Sequence, residues 1–236
     1  MSKKKIAKFI VLGLILVALI IVGIRSVQNG RLFDAIEAND YDKAYSAIKA
    51  GADVNCRYRA FVLFPAIVGH NSTPLIDACY RNSDAIISLL LDQGADVNLC
   101  DNLTKVSPLF VSLGVGNYDV AYRLIDQGAD LNVHAADKSI LSQCCCNNSD
   151  PENENHKMFR YLLDHNATLE TPRGTVLHDA VISQDAYVVE YLLNHNLVNP
   201  IEKDRNGFTA LDLAEELGYD QIAELLRQKT GDGSPS

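Results

Sequence analysis

Apolar positions along the chain fall into two regimes. From Phe9 to Ile24 they are nearly continuous, with no charged residue, and Ile6 and Ala7 extend the run past Lys8. Beyond about residue 30 they become periodic, with Ile/Val and leucine at the three- and four-residue steps of helices buried on one side. The first regime predicts one long helix. At 1.5 Å per residue, Ile6 to Ile24 spans roughly 28 Å, about the thickness of bilayer hydrocarbon. Lys3, Lys4, Lys5 and Lys8 lead into it and Arg25 alone closes it, which by the positive-inside rule leaves the N-terminus cytoplasmic and the rest extracytoplasmic. The competing reading is a cleaved signal peptide that releases a secreted or periplasmic domain. Such a peptide has a shorter apolar core, and the exit sequence Val22-Gly23-Ile24-Arg25-Ser26-Val27 lacks a small-x-small pair. The expected division is a basic stub and signal anchor over residues 1–27, a repeat domain over 28–230 and a flexible tail over 231–236.

The second regime repeats. Residues 73–98 and 107–132 align without a gap at an offset of 34, and the same frame finds further copies from Thr175 and Thr209. Leu75, Leu109, Leu177 and Leu211 share one register; so do Ile86, Val120, Val188 and Ile222, and Leu90, Leu124, Leu192 and Leu226. Two degraded copies run from Arg31 to Asn55 and from Ser139 to Asn166, the latter with about six extra residues. Six units therefore stack from Arg31 to about Lys229. A hydroxyl residue opens each first helix (Thr73, Ser107, Ser139, Thr175, Thr209), and Pro74 or Pro108 occupies its first turn. Ala78, Ser112, Ala180 and Ala214 allow close helix approach. Gly51, Gly94 and Gly128 end second helices where the chain turns left-handed. No unit can bury its apolar stripe alone, so each is stabilised by its neighbours.

These motifs resemble the ankyrin-repeat family, built around T-P-L-H-x-A-A and L-L-x-x-G-A-D-V-N; the best match is Asp204-Arg205-Asn206-Gly207-Phe208-Thr209-Ala210-Leu211-Asp212-Leu213-Ala214. The resemblance covers about 200 of 236 residues. It implies an all-α solenoid of stacked helix-turn-helix units with short β-hairpin tips, here preceded by one transmembrane helix. The family's turn histidine survives only as His178, replaced by Ile76, Phe110, Ser142 and Asp212 in other copies, so the Thr–His bond that tightens the turn is expected to be mostly missing.

Charge narrows the partners. Setting aside the five basic residues before Ser26 takes a net of −9 to −14 for the remainder. An acidic surface repels nucleic-acid phosphate and anionic headgroups and attracts basic proteins. The expected contacts are a protein partner, possible basic character included, and a membrane through residues 6–24, with no nucleic acid and no cofactor. Oligomeric state is left open.

Candidate chemistry is sparse. His165 and His195 occupy one repeat position before Asn166 and Asn196, and His178 is the turn histidine; His70, His134 and His156 read as isolated loop residues. Cys144-Cys145-Cys146 has no C-x-x-C partner, so a zinc site has little sequence support. In the repeat frame Cys144 and Cys145 take the core positions of Ala78 and Cys79, while Cys146 faces the groove as Tyr80 does. Cys56 and Cys100, each just past a G-A-D-V-N segment, are the one pair placed for a disulfide. There is no nucleophile elbow, phosphate loop or His-x-x-x-His helix, and no enzyme is expected.

Two insertions break the period. Residues 57–72 add nine, rich in apolar side chains, and read equally as a binding finger presenting Phe61, Leu63 and Phe64 or as a flap over the first unit. Residues 147–155 form a polar loop. By family resemblance the concave face binds partners. Carried over by register it holds Tyr80, Arg81, Val115, Cys146, Asn147, Ile182 and Ser183 on the helices. Leu103, Thr104, Val106, Lys138, Arg173, Arg205, Asn206 and Phe208 lie at the tips. The leading expectation is a membrane-anchored protein–protein interaction module; the alternatives are an immunity-type inhibitor of a basic toxin and a cysteine-based redox protein acting through Cys146.

Overall fold

Twelve helices, taken in successive pairs, follow the periodic pattern in the computed structural model, which describes residues 3–57, 71–135, 137–148 and 150–231. The described residues fall into two compact units, residues 1–103 and 104–236.

The first unit holds α1 (Lys3–Glu37), α2 (Tyr41–Lys49), α3 (Pro74–Tyr80) and α4 (Asp84–Asp92). Its α1 combines both sequence regimes. The side chains from Ile10 to Val27 are solvent-exposed and almost all apolar, whereas Leu32, Phe33, Ala35 and Ile36 are buried against α2 and α3. The helix runs uninterrupted through residue 27, where the anchor was expected to give way to the repeats. Asn29-Gly30 is a local stop signal, but the Asn29 side chain is taken up by the Asp53 N–H, and burial of Leu32 and Ile36 against α2 and α3 carries the hydrogen-bond ladder through it. Arg25 reaches Asp53 at 2.6 Å, and Asn29 Oδ1 accepts the Asp53 N–H at 2.8 Å. These two contacts fasten the helix to the turn after α2.

The second unit holds α5 (Pro108–Gly114), α6 (Tyr118–Asp126), α7 (Ile140–Gln143), α8 (Glu154–Asp164), α9 (Val176–Ile182), α10 (Ala186–Asn194), α11 (Ala210–Glu216) and α12 (Asp220–Thr230). The first helices pack in series, α5 on α7, α7 on α9 and α9 on α11. Two hairpin tips form small antiparallel ladders: β1 (His134–Ala135) with β2 (Lys138–Ser139), and β3 (Glu170–Thr171) with β4 (Gly174–Thr175). A single bridge joins Lys203 to Thr209 at the next tip.

Local chemistry sets the helix ends as the sequence predicts. Thr73, Ser107 and Ser139 accept backbone N–H bonds at the N-caps of α3, α5 and α7, as Thr209 does for α11. Gly51, Gly94 and Gly128 adopt φ of 101°, 82° and 83°, while Asn166 and Asn196 take the same turn at 63° and 51°. The missing turn histidine is partly compensated. His178 Nδ1 lies 3.1 Å from the Thr175 hydroxyl, and two of its replacements rebuild the same reciprocal cap. Ser142 Oγ sits 2.8 Å from Ser139 Oγ, and Asp212 Oδ2 accepts from both the hydroxyl and the N–H of Thr209 at 2.8 Å. Any acceptor that reaches back three residues can do what the imidazole does.

Ala78, Ser112, Ala180 and Ala214 are fully buried, as close helix packing requires. One element departs from the frame. Helix α7 is four residues long where the other first helices from α3 onward have seven, and the three cysteines follow its end.

Candidate functional site

Within the first unit, Tyr80 at the end of α3 is 59% exposed and Leu103 is also open to solvent. Arg81, the helix C-cap, turns its guanidinium to Glu37, reaching the carbonyl at 3.2 Å and the carboxylate at 3.6 Å. That pairing joins the end of α1 to the end of α3. A groove of about 580 Å³ opens between α1 and α2, floored by Ala35, Ala38, Ala47 and Ala50. Phe61, Leu63 and Phe64 lie outside the described residues.

Within the second unit, Val115, Asn147 and Ile182 are exposed at the ends of their repeats' first-helix segments. Asn147 donates to Gln184 Oε1 at 2.9 Å, which fixes its amide across two repeats. At the last tip, Arg205, Asn206 and Phe208 are exposed, and their loop is shaped by Asp204. Its carboxylate accepts the N–H groups of Asn206 at 2.8 Å and Phe208 at 2.9 Å. Partial burial raises its pKa, but these bonds outweigh it and hold the carboxyl below its ordinary value. The Arg205 side chain reaches Asp137 at 3.5 Å, bridging two tips.

Val106 corrects the expected face. It is 7% exposed, part of the core rather than of a binding tip. It immediately precedes the N-cap Ser107, the position from which an apolar side chain folds back onto its helix. Lys138 and Arg173 are only half-exposed.

The cysteines divide by environment. Cys144 and Cys145 are buried, as their register predicts, and burial raises both thiol pKa values. Cys56, one of the two cysteines placed for a disulfide, is a buried free thiol; burial, then the neighbouring Asp53, push its pKa up to about 12. Arg57 donates to the Cys100 carbonyl at 2.8 Å.

His156 is the larger correction. It is not an isolated loop residue: it lies in the first turn of α8, fully buried, and meets Asp185, also fully buried, at the N-cap of α10. Its Nε2 is 3.1 and 3.2 Å from the two Asp185 oxygens and 4.0 Å from Cys146 Sγ. The ring stacks on Tyr187 at 4.2 Å. Asp185 also accepts the Cys146 N–H at 2.7 Å and the Val188 N–H at 3.0 Å. Cys146 is half-buried; desolvation first, then the Asp185 carboxylate, raise its thiol pKa. Sequence reasoning missed this grouping because the polar insertion separates Cys146 from His156, and Asp185 arrives from the following repeat. The legible signals were an aspartate at an N-cap position and two non-consensus residues flanking the insertion.

This arrangement does not suit thiol catalysis. In a Cys-His-Asp triad the acid orients one imidazole nitrogen while the other activates the thiol. Here thiol and carboxylate crowd the same Nε2, and the carboxylate opposes a thiolate.

Paired helices with capped starts and left-handed ends, exposing side chains at successive helix termini, define a helical-repeat binding scaffold. The profile of the ankyrin repeats (three copies) matches residues 32–135 and 141–234, and the chain belongs to the ankyrin-repeat family. It is similar to the ankyrin repeat protein YahD of Escherichia coli K12, 28% identical over 203 residues that cover 81% of this chain and 92% of YahD. It also resembles the mitochondrial disaggregase of Bos taurus, 25% identical over 202 residues and 86% of this chain, but spans only 23% of that protein. Among solved structures, the fold matches a chain in the complex of the Bdellovibrio bacteriovorus predatory endopeptidase Bd0816 with immunity protein Bd3460. That match has a TM-score of 0.65 and 23% identity, covering 84% of this chain and 97% of that one. An Acinetobacter baumannii ankyrin repeat domain matches with a TM-score of 0.62 and 24% identity, over 84% of this chain and 97% of its own.

Proposed function

We propose that the chain is a membrane-anchored module that binds a protein partner through the exposed ends of its first-helix segments and hairpin tips. The observation that carries the reading is the exposure of Tyr80 and Ile182, at one repeat register, in a fold whose large apolar side chains are otherwise mostly buried. Large apolar or aromatic groups held on rigid helix ends lose little entropy on binding and make effective anchors. Arg205, Asn206 and Phe208 add a polar and aromatic tip at the far end of the sequence. Phe61, Leu63 and Phe64 belong to the same proposal as anchors beside the first repeat. The apolar, exposed segment of α1 supports attachment to a bilayer, and the lysines that precede it are the ground for placing the N-terminus in the cytoplasm and the repeats outside.

The test is an affinity capture of the full-length chain in detergent from crosslinked membranes, comparing wild type with Tyr80→Ala/Ile182→Ala. Partners recovered by wild type should be lost from the variant while its melting temperature stays within about 2 °C, since both side chains are exposed. Equal recovery by the two proteins would rule these two side chains out as anchors.

A second reading, an immunity-type inhibitor, has its own support. The net charge outside the first 25 residues suits a basic target, and one fold neighbour comes from an endopeptidase–immunity protein complex. It predicts that the captured partner is a basic hydrolase whose activity falls as this chain is added.

A further inference from the structure

We propose that Cys146, His156 and Asp185 form a metal site for a thiophilic divalent cation, zinc by preference, which ties the insertion of the fourth repeat to the repeat that follows. The argument starts from hydrogens. His156 Nδ1 lies 2.7 Å from the Asp150 carbonyl oxygen, which can only accept, so Nδ1 must carry a hydrogen. Asn153 Nδ2 is 3.0 Å from the same nitrogen, but it donates to that carbonyl at 2.9 Å while Asn153 Oδ1 accepts the His156 N–H. Two donors thus converge on one carbonyl.

The consequence falls on Nε2. In a neutral imidazole it carries a lone pair, and it points at two carboxylate oxygens and a sulfur. The Nε2 lone pair and a buried carboxylate facing each other need a positive centre between them, and the Cys146 sulfur lies beside that point. The candidates are a proton on Nε2 or a metal ion. A proton satisfies the carboxylate but leaves the sulfur, 4.0 Å away, to the Asn153 and Asn155 side chains; an ion takes in both.

Geometry accommodates the ion. The three ligand atoms lie within 4.8 Å of one another. Bonds of about 2.0 Å to nitrogen and oxygen and about 2.3 Å to sulfur set ligand separations of roughly 3.3–3.7 Å. The observed 3.1 and 3.2 Å for nitrogen to oxygen fall just below that range and 4.0 Å for nitrogen to sulfur just above it, so ligation takes shifts of a few tenths of an ångström. The Nδ1–H bond to a backbone carbonyl is the outer contact that fixes a ligating histidine's tautomer and ring plane. Half-exposure of Cys146 leaves a side for entry and for a fourth ligand. On binding, the thiol loses its proton to solvent, and the metal charge offsets the burial and the carboxylate that otherwise keep it protonated.

The position explains the local fold. The site joins the residues just after the short helix α7, the start of α8 and the N-cap of α10. An ion there would hold the inserted loop closed where a regular repeat needs only a tight turn.

The experiment uses the full-length chain in detergent, stripped with chelator and titrated with Co²⁺. One equivalent should bind with thiolate-to-cobalt charge-transfer absorption, be displaced by Zn²⁺ and raise the melting temperature. Cys146→Ser should remove the absorption, and Asp185→Asn, which keeps a capping oxygen, should weaken binding by more than the roughly 10–100-fold typical of an outer-shell change. Cys100→Ser, in the other unit, should titrate as wild type does. Failure of wild type to take up cobalt, or unchanged absorption in Cys146→Ser, would overturn the site.

Discussion

Asp212 stands where the ankyrin family places its turn histidine, and its carboxylate accepts from the N–H and hydroxyl of Thr209. Those bonds, the N–H first, hold its pKa below the ordinary 3.8. A carboxylate depressed in the folded state stabilises fully above its unfolded pKa and loses that contribution as pH falls through the folded value. The last repeat should therefore loosen as pH drops below about 4, seen as loss of amide-exchange protection in α11 and α12. Asp212→Asn should flatten that acid dependence; an unchanged profile would mean the cap contributes nothing. His178 does the same job with an imidazole, and its Nε2 also reaches the Glu202 carbonyl at 3.2 Å. The cap's geometry is held constant across the repeats while its chemistry varies.

At the scale of elements, α1 is the departure of most consequence. One helix supplies both an apolar exposed segment and the first helix of a repeat, and the Arg25–Asp53 pair spans the junction. Val27 is exposed, so its replacement by proline removes no core contact. It would, however, break one backbone bond and clash with the preceding turn, a cost of about 3 kcal/mol in a helix interior. Val27→Pro should lower the melting temperature of the full-length chain in detergent by several degrees. No change would mean that the helix is already broken there in solution. Helix α7 departs in the opposite direction. It ends three residues early, and the Cys146 N–H, in a helix bonded to the backbone four residues before, is given to Asp185 instead.

For the whole molecule, the repeat stack and the apolar segment make separate demands. Stability of the repeats comes from neighbour packing, so an isolated unit would not persist. Bilayer attachment would come from the roughly 20-residue apolar span. Carbonate at high pH should leave the full-length chain in the membrane pellet, and protease added outside should digest the repeats and spare the span. Recovery of a soluble chain beginning near residue 27 would favour the signal-peptide reading.

Periodicity within the sequence determined the repeat count, the N-caps at Thr73, Ser107, Ser139 and Thr209, and the left-handed ends at Gly51, Gly94 and Gly128. Each of these rests on interactions within a few residues, where side-chain type and backbone conformation are directly linked. The burial of Cys144 and Cys145 was legible for a related reason: a register shared by several copies carries packing information from one repeat to the next. Tertiary structure alone decided what crosses repeats or falls where the register fails. Asp185 lies 29 residues from His156 and 39 from Cys146, a juxtaposition that no local spacing encodes. Val106 looked like a tip residue by position and is core by burial, because the chain turns inward one residue before its cap. The continuity of α1 was likewise set by packing: burial of Leu32 and Ile36 against α2 and α3 holds the helix past the point where its apolar run ends.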